Sequence, residues 1–159
     1  MLRKLRDLLT PTPAGETDPA TRERLAVAAL LVEISRADFD HTDAERATSV
    51  HLLARHFGCN DAEAGRLLAE AEAAVEDAVS LREFTAPLHR GLGYDGKQHV
   101  IAMLWELALA EGGLDKYEDY LVGKIAELLY VSRGDVIRLK VQVEERRLRE
   151  ATGPPGQRP

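Results

Sequence analysis

Residues 27–57 read VAALLVEISRADFDHTDAERATSVHLLARHF, and residues 100–130 read VIAMLWELALAEGGLDKYEDYLVGKIAELLY. At an offset of 73, Val27, Ala29, Leu31, Glu33, Ala37 and Glu45 fall on Val100, Ala102, Leu104, Glu106, Ala110 and Glu118. Leu52 then falls on Ile125 and Phe57 on Tyr130. Six identities over 31 positions, with apolar pairs at core spacing, mark an internal duplication of a helix pair. The segments LAVAALLVEI and HVIAMLWELALA, which open the two copies, are apolar nearly all round. In a soluble chain such helices belong at the centre of a bundle. The expected architecture is therefore an all-α bundle of two related helix-pair halves, with the helices carrying Leu31 and Leu104 in contact and Trp105 in or beside the core.

Capping residues mark where the helices begin. Asp18 precedes Pro19 at a first helical position, and Thr42 with Glu45, Asn60 with Glu63, Ser80 with Glu83, Asp95 with Gln98 and Asp115 with Glu118 each carry a capping-box spacing. Ser132 with Asp135 is similar. These starts predict seven helices over about 19–38, 43–57, 61–79, 81–90, 96–111, 116–130 and 133–150, the fourth kept short or kinked by Pro87. Outside this domain of 19–150, MLRKLRDLL places Leu2, Leu5, Leu8 and Leu9 at helical spacing, so residues 1–10 read as a short helix. Its leucines suit docking on the core, and with Arg3, Lys4 and Arg6 they also suit contact with a membrane surface. Residues 11–18 read as a Pro-rich linker and 151–159, ending GPPGQRP, as a disordered tail.

Composition agrees with helices and narrows the function. The 159 residues include only 5% aromatics, and Ala, Leu, Glu and Arg, all good helix formers, dominate. The net charge of −6 excludes a general nucleic-acid binder, which needs clustered Lys and Arg for phosphate contacts. Charge is uneven: Asp38 to Asp77 carries ten acidic residues against three Arg. That acidic face is either a solvated surface or a docking surface for protein partners. The single cysteine, Cys59, excludes an internal disulfide and any Cys-x-x-Cys motif, as fits a reducing cytoplasm. No segment has the apolar length of a membrane span or the form of a signal peptide.

The two acidic turns are the chemically distinctive feature. Asp38, Asp40, Asp43 and Glu45 stand within eight residues, enough carboxylate oxygens for a calcium-like cation with six to eight oxygen ligands. The spacing is not an EF-hand, because Asp43 stands where the sixth-position Gly belongs and Ser49 where the twelfth-position Glu belongs. The second turn offers Glu111 and Asp115 beside Gly112 and Gly113. Glu45 and Glu118 are also explained by capping alone, since a carboxylate three residues after an N-cap satisfies backbone N–H groups and favours the helix dipole. Glu33 and Glu106 lie within apolar helices, where an unpaired charge costs several kcal/mol, and so require a partner: backbone N–H, an arginine such as Arg36 or Arg55, or a metal.

An apolar helix ending in Ala-Asp, an acidic turn, and a second helix closing in LLARHFG, repeated as LWELALAEGGLDKYEDYLVGKIAELLYVS, resembles the TerB family of tellurite-resistance proteins. The likeness is closest from Leu104 to Glu118 and covers about residues 22–145. A similar fold forms the N-terminal region of a DnaJ-like membrane co-chaperone. The resemblance implies a helical bundle, a role in stress resistance, and acidic turns proposed to hold divalent metal. Carried over by position, the metal residues are Asp38 and Glu45 in the first turn, Glu111, Asp115 and Glu118 in the second, and Glu33 and Glu106 on the preceding helices; the residue reading adds Asp40. The usual Ala-Asp-Gly stands here as Ala110-Glu111-Gly112, and Phe39 replaces the Gly of the first turn.

Catalytic chemistry has no motif to rest on. The five histidines form no His-Glu-x-x-His, His51 and His56 stand five apart rather than four, and no Gly-x-Ser-x-Gly or phosphate-cradling loop occurs. The expectation is a non-enzymatic stress protein with cation-binding turns, against the alternative of a metal-free helical adaptor that docks protein partners.

Overall fold

The computed structural model describes residues 18–37, 43–110 and 116–152. Among them run seven helices and no strand: α1 (Pro19–Arg36), α2 (Asp43–Phe57), α3 (Asp61–Asp77), α4 (Arg82–Gly91), α5 (Tyr94–Leu109), α6 (Lys116–Leu128) and α7 (Arg133–Thr152). The expected N-terminal helix and linker, apart from Asp18, lie outside the described residues, as do Thr42 and Asp115.

Several caps form as their chemistry requires. Asp18 Oδ1 accepts from Ala20 N (3.1 Å), and Asn60 Oδ1 accepts from Glu63 N (2.8 Å). Two starts differ from expectation. Ser80 does not cap α4, whose N-cap is Leu81; instead Glu83 Oε2 accepts from the backbone N–H of Val79 (2.6 Å) and Ser80 (3.3 Å), so only the reaching-back half of the capping box is made. Helix α5 begins at Tyr94, two residues early, with Asp95 inside its first turn and Gly93 as N-cap. The carboxylate of Asp95 there favours the helix dipole, which the sequence pattern of an N-cap does not distinguish from capping. At the other end, α7 continues through Ala151 and Thr152, two residues into the expected tail.

Helix α1 is the centre of the bundle, touching α2, α3, α4, α5 and α6. Leu30, Leu31 and Leu104 are fully buried, and Leu107 and Trp105 nearly so. The two apolar helices α1 and α5 pack against each other as the duplication requires.

The duplication is larger than a helix pair. Helices α2 and α6 begin 73 residues apart and both close on a left-handed residue, Gly58 (φ 64°) in one and Tyr130 (φ 60°) in the other. The bonds Cys59 N→Ala54 O (3.0 Å) and Val131 N→Ala126 O (2.9 Å) complete the same helix-closing motif. The second copy is one residue shorter here, so the next helices match at an offset of 72. Asn60 then corresponds to Ser132, and buried Ala64 and Ala71 to buried Val136 and Val143. Each half is thus three helices, α1–α2–α3 and α5–α6–α7, with α4 as the connection. The third pair escaped the sequence comparison because the one-residue deletion moves its register.

Helix α5 is tied to α7 at the α7 N-terminus. Ser132 Oγ accepts from Asp135 N (3.2 Å), Tyr94 O–H donates to Asp135 Oδ2 (2.5 Å), and the Tyr94 hydroxyl oxygen accepts in turn from Ser132 N (3.1 Å). Hydrogen bonds to the Asp135 carboxyl from the Tyr94 side chain first, then from those of Ser132 and Arg138, hold it below its ordinary range. A carboxyl so lowered adds stability above its unfolded value, about 3.9, and that contribution is lost as pH falls from there through the folded value. Tyr94→Phe should therefore reduce the fall in stability on acidification in this window. Acid titration followed by far-ultraviolet circular dichroism checks this, and identical profiles would show that the bond is not formed in solution.

Candidate functional site

The helix ends flanking the acidic turns form the candidate site. Glu45, in the first turn of α2, is buried at 5% exposure, and Ser35 Oγ–H in the last turn of α1 donates to its Oε2 (3.0 Å). Burying a carboxylate is costly without such donors, so this bond fixes the start of α2 against the end of α1 across the first turn. Glu118 holds the corresponding place in α6 and is equally buried, at 6% exposure. The counterpart of Ser35 is Ala108, so the two glutamates share burial but not that hydroxyl donor.

Glu106 and Glu33, equivalent by sequence, have separate environments. Glu106 Oε2 accepts from Arg55 of α2 (2.7 Å), and its other oxygen lies 3.6 Å from Arg146 of α7. It ties α5 to both neighbours, and Arg55 is one of the partners anticipated from the sequence. Glu33 is half-buried and lines a cavity of about 400 Å³ together with Arg36, Ala37, Leu81, Tyr117 and Leu121. Desolvation raises its carboxyl above the ordinary glutamate range, partly offset by the Arg36 charge.

This cavity brings the surroundings of the two turns together. Ala37 immediately precedes the first turn and Tyr117 closely follows the second, and both line it with Glu33. Asp38, Asp40, Glu111 and Asp115 lie outside the described residues. Among the described residues no three His, Cys, Asp or Glu side chains are grouped to hold a metal ion. Among the described residues Glu33 is the one carboxylate that lines this cavity.

The family model of tellurite resistance protein TerB matches residues 24–141. The chain belongs to the TerB family. The TerB match runs from within α1 to within α7 and so takes in both three-helix halves and both acidic turns. No match to a curated protein or to a solved structure accompanies it.

Outside the TerB turns, the structure assembles polar groups that no sequence motif indicated. Lys97 is buried with its Nζ 2.6 Å from His89 Nδ1, and the His89 ring lies 4.6 Å from that of Tyr130. Arg46 of α2 pairs with Glu72 of α3 at 3.0 Å. Each grouping joins side chains of different helices or helix ends, and only tertiary packing brings them together.

The environment of Glu33 makes a signed prediction. Because its folded value is raised, the ionised form opposes folding, and stability falls as pH rises from about 4.3, the ordinary glutamate value, through the folded one. Without added cation, Glu33→Gln should unfold at a slightly higher midpoint than the parent at neutral pH, with the gap closing in acid. Thermal melts in chelator-treated buffer measure it; a lower midpoint for the variant at pH 7 would mean that the ionised carboxylate is stabilised in the fold.

Proposed function

We propose that this TerB-family protein is a non-enzymatic, cytoplasmic stress protein of the tellurite-resistance type, whose two acidic turns hold a divalent, calcium-like cation. The observation that carries the reading is the shared cavity: residues bordering both turns line it, and the half-buried Glu33 carboxyl faces it with no ion pair among the described residues. Carboxylate oxygens without thiolate or paired imidazole suit hard cations rather than zinc or copper. A cation beside Glu33 would also offset the desolvation that now disfavours its charge.

A ligand that binds only the folded state raises its stability by mass action, by about 2.7 kcal/mol at about 100 times the Kd. Calcium should accordingly raise the melting midpoint of the full chain, and Asp40→Asn should abolish the rise. Without cation that variant should be equal to or slightly more stable than the parent, since Asp40 is flanked by Asp38 and Asp43. A parent midpoint unmoved by calcium, magnesium or manganese contradicts the proposal.

A second reading, a metal-free adaptor resembling the co-chaperone domain, is favoured by one surface. Ile137, Val141 and Leu148 occupy a single outer stripe of α7 and are 54%, 45% and 65% exposed. Such a stripe suits a protein partner's apolar face. No described helix is long and apolar enough to cross a membrane. The adaptor reading predicts no cation response, and loss of partner capture on Val141→Asp.

A further inference from the structure

The two halves treat one cleft differently. In the second half, the space between the first and third helices is filled by Trp105, 2% exposed, whose indole N–H donates to Val136 O (3.1 Å). Lys140 lies over that ring, 5.2 Å from its centroid, and pairs with Asp119 of the middle helix at 3.2 Å. In the first half the positions of Trp105 and Lys140 are held by Val32 and Leu68, and that of Asp119 by Arg46. With no indole to fill it, the cleft between α1, α2 and α3 is a half-open cavity of about 230 Å³.

Its lining has a defined chemistry. Val32 and Leu68 form an apolar floor, and the buried Ser35 and Ser49 add hydroxyl groups. At the rim stand Arg36 and Arg46 on one side and Glu72 and Glu76 on the other. Arg46 and Glu72 already pair across the cleft, whereas among the described residues Glu76 has no ion pair and Arg36 has no direct one, acting on Glu33 only through its charge. Two cations and two anions give the rim no net charge, so a singly charged ligand would meet as much repulsion as attraction. A ligand bearing both charges would find a partner for each. Drug-sized ligands occupy pockets of about 300–1,000 Å³, so the fitting molecule is smaller.

We propose that this cleft binds a small aromatic zwitterion of amino-acid size, its ring on Val32 and Leu68 where the other half places its own indole, its carboxylate towards Arg36 and its ammonium towards Glu76. The cleft adjoins the cavity beside the acidic turns, with Arg36 lining both, but none of the groups assigned to the ligand is a carboxylate of those turns.

Titrating the isotope-labelled full chain with L-phenylalanine, L-tyrosine and L-tryptophan, and following backbone amide resonances, tests the assignment. At least one of the three should give saturable shifts centred on Val32, Ser49 and Leu68. The matching arylalkylamine and arylalkanoate, each lacking one charge, should bind about tenfold more weakly, the cost of a charge-assisted hydrogen bond. Glu76→Gln alters only the rim and should weaken the amino acid about tenfold while leaving the arylalkanoate, which that carboxylate repels, no weaker than before. Val32→Trp, filling the cleft from within, should abolish the shifts while the rest of the spectrum stays dispersed. No saturable shift at these amides with any of the three amino acids overturns the proposal, as does equal binding of the amino acid and its one-charge analogues, or undiminished amino-acid binding by Glu76→Gln.

Discussion

Trp105→Ala is expected to lower the free energy of unfolding by about 3–5 kcal/mol, the range for truncating a buried large aromatic side chain. The indole is 2% exposed, joins α5 to α7 through its bond to Val136 O, and supports the Lys140 side chain above its ring. Its removal leaves a cavity, releases Lys140 from the ring and leaves Val136 O without that donor. Urea denaturation of parent and variant measures the difference. A loss below about 1 kcal/mol would show that α7 is held to α5 by other contacts, and would weaken the comparison between the filled and open clefts.

Leu31→Ala has the next largest effect, about 2–5 kcal/mol. Leu31 is completely buried in α1, the helix that touches five others, so its truncated volume cannot be filled by solvent-facing groups. Leu104→Ala, at the equivalent position of α5, should cost a comparable amount because Leu104 is also fully buried. Similar losses from both follow from α1 and α5 being the paired central helices of a duplicated bundle. A Leu31→Ala protein with unchanged stability would remove α1 from that role.

Much of this architecture is legible in the residues. All-round apolarity of the segments around Leu31 and Leu104 predicts their central positions, because only a helix surrounded by others can bury every face. The caps at Asp18, Asn60 and Ser132 place their helices correctly, since each side chain satisfies a backbone donor locally. Where local chemistry is ambiguous the sequence reading slips: the carboxylate of Asp95 serves an N-cap or a first turn equally well, and α5 begins at Tyr94. The third member of each half was hidden by a single-residue change in spacing at the Gly58 and Tyr130 helix ends.

The candidate site was legible in part. Glu106 was recognised as needing a partner, and Arg55 supplies it, but Arg146, forty residues away in sequence, was foreseeable only from packing. Ser35 has no motif that marks it as the donor to Glu45, because the bond depends on how the first turn brings α1 and α2 together. The cavity joining Glu33 to Tyr117 is likewise a product of the bundle, since α1 and α6 belong to different halves.

The central functional claim is cation binding at the acidic turns, and isothermal titration of the full, metal-stripped chain with calcium tests it most directly. The account predicts a saturable binding heat within the millimolar range, lost in Asp40→Asn. Absence of binding heat for calcium, magnesium and manganese would contradict it and leave this TerB-family bundle as a metal-free adaptor.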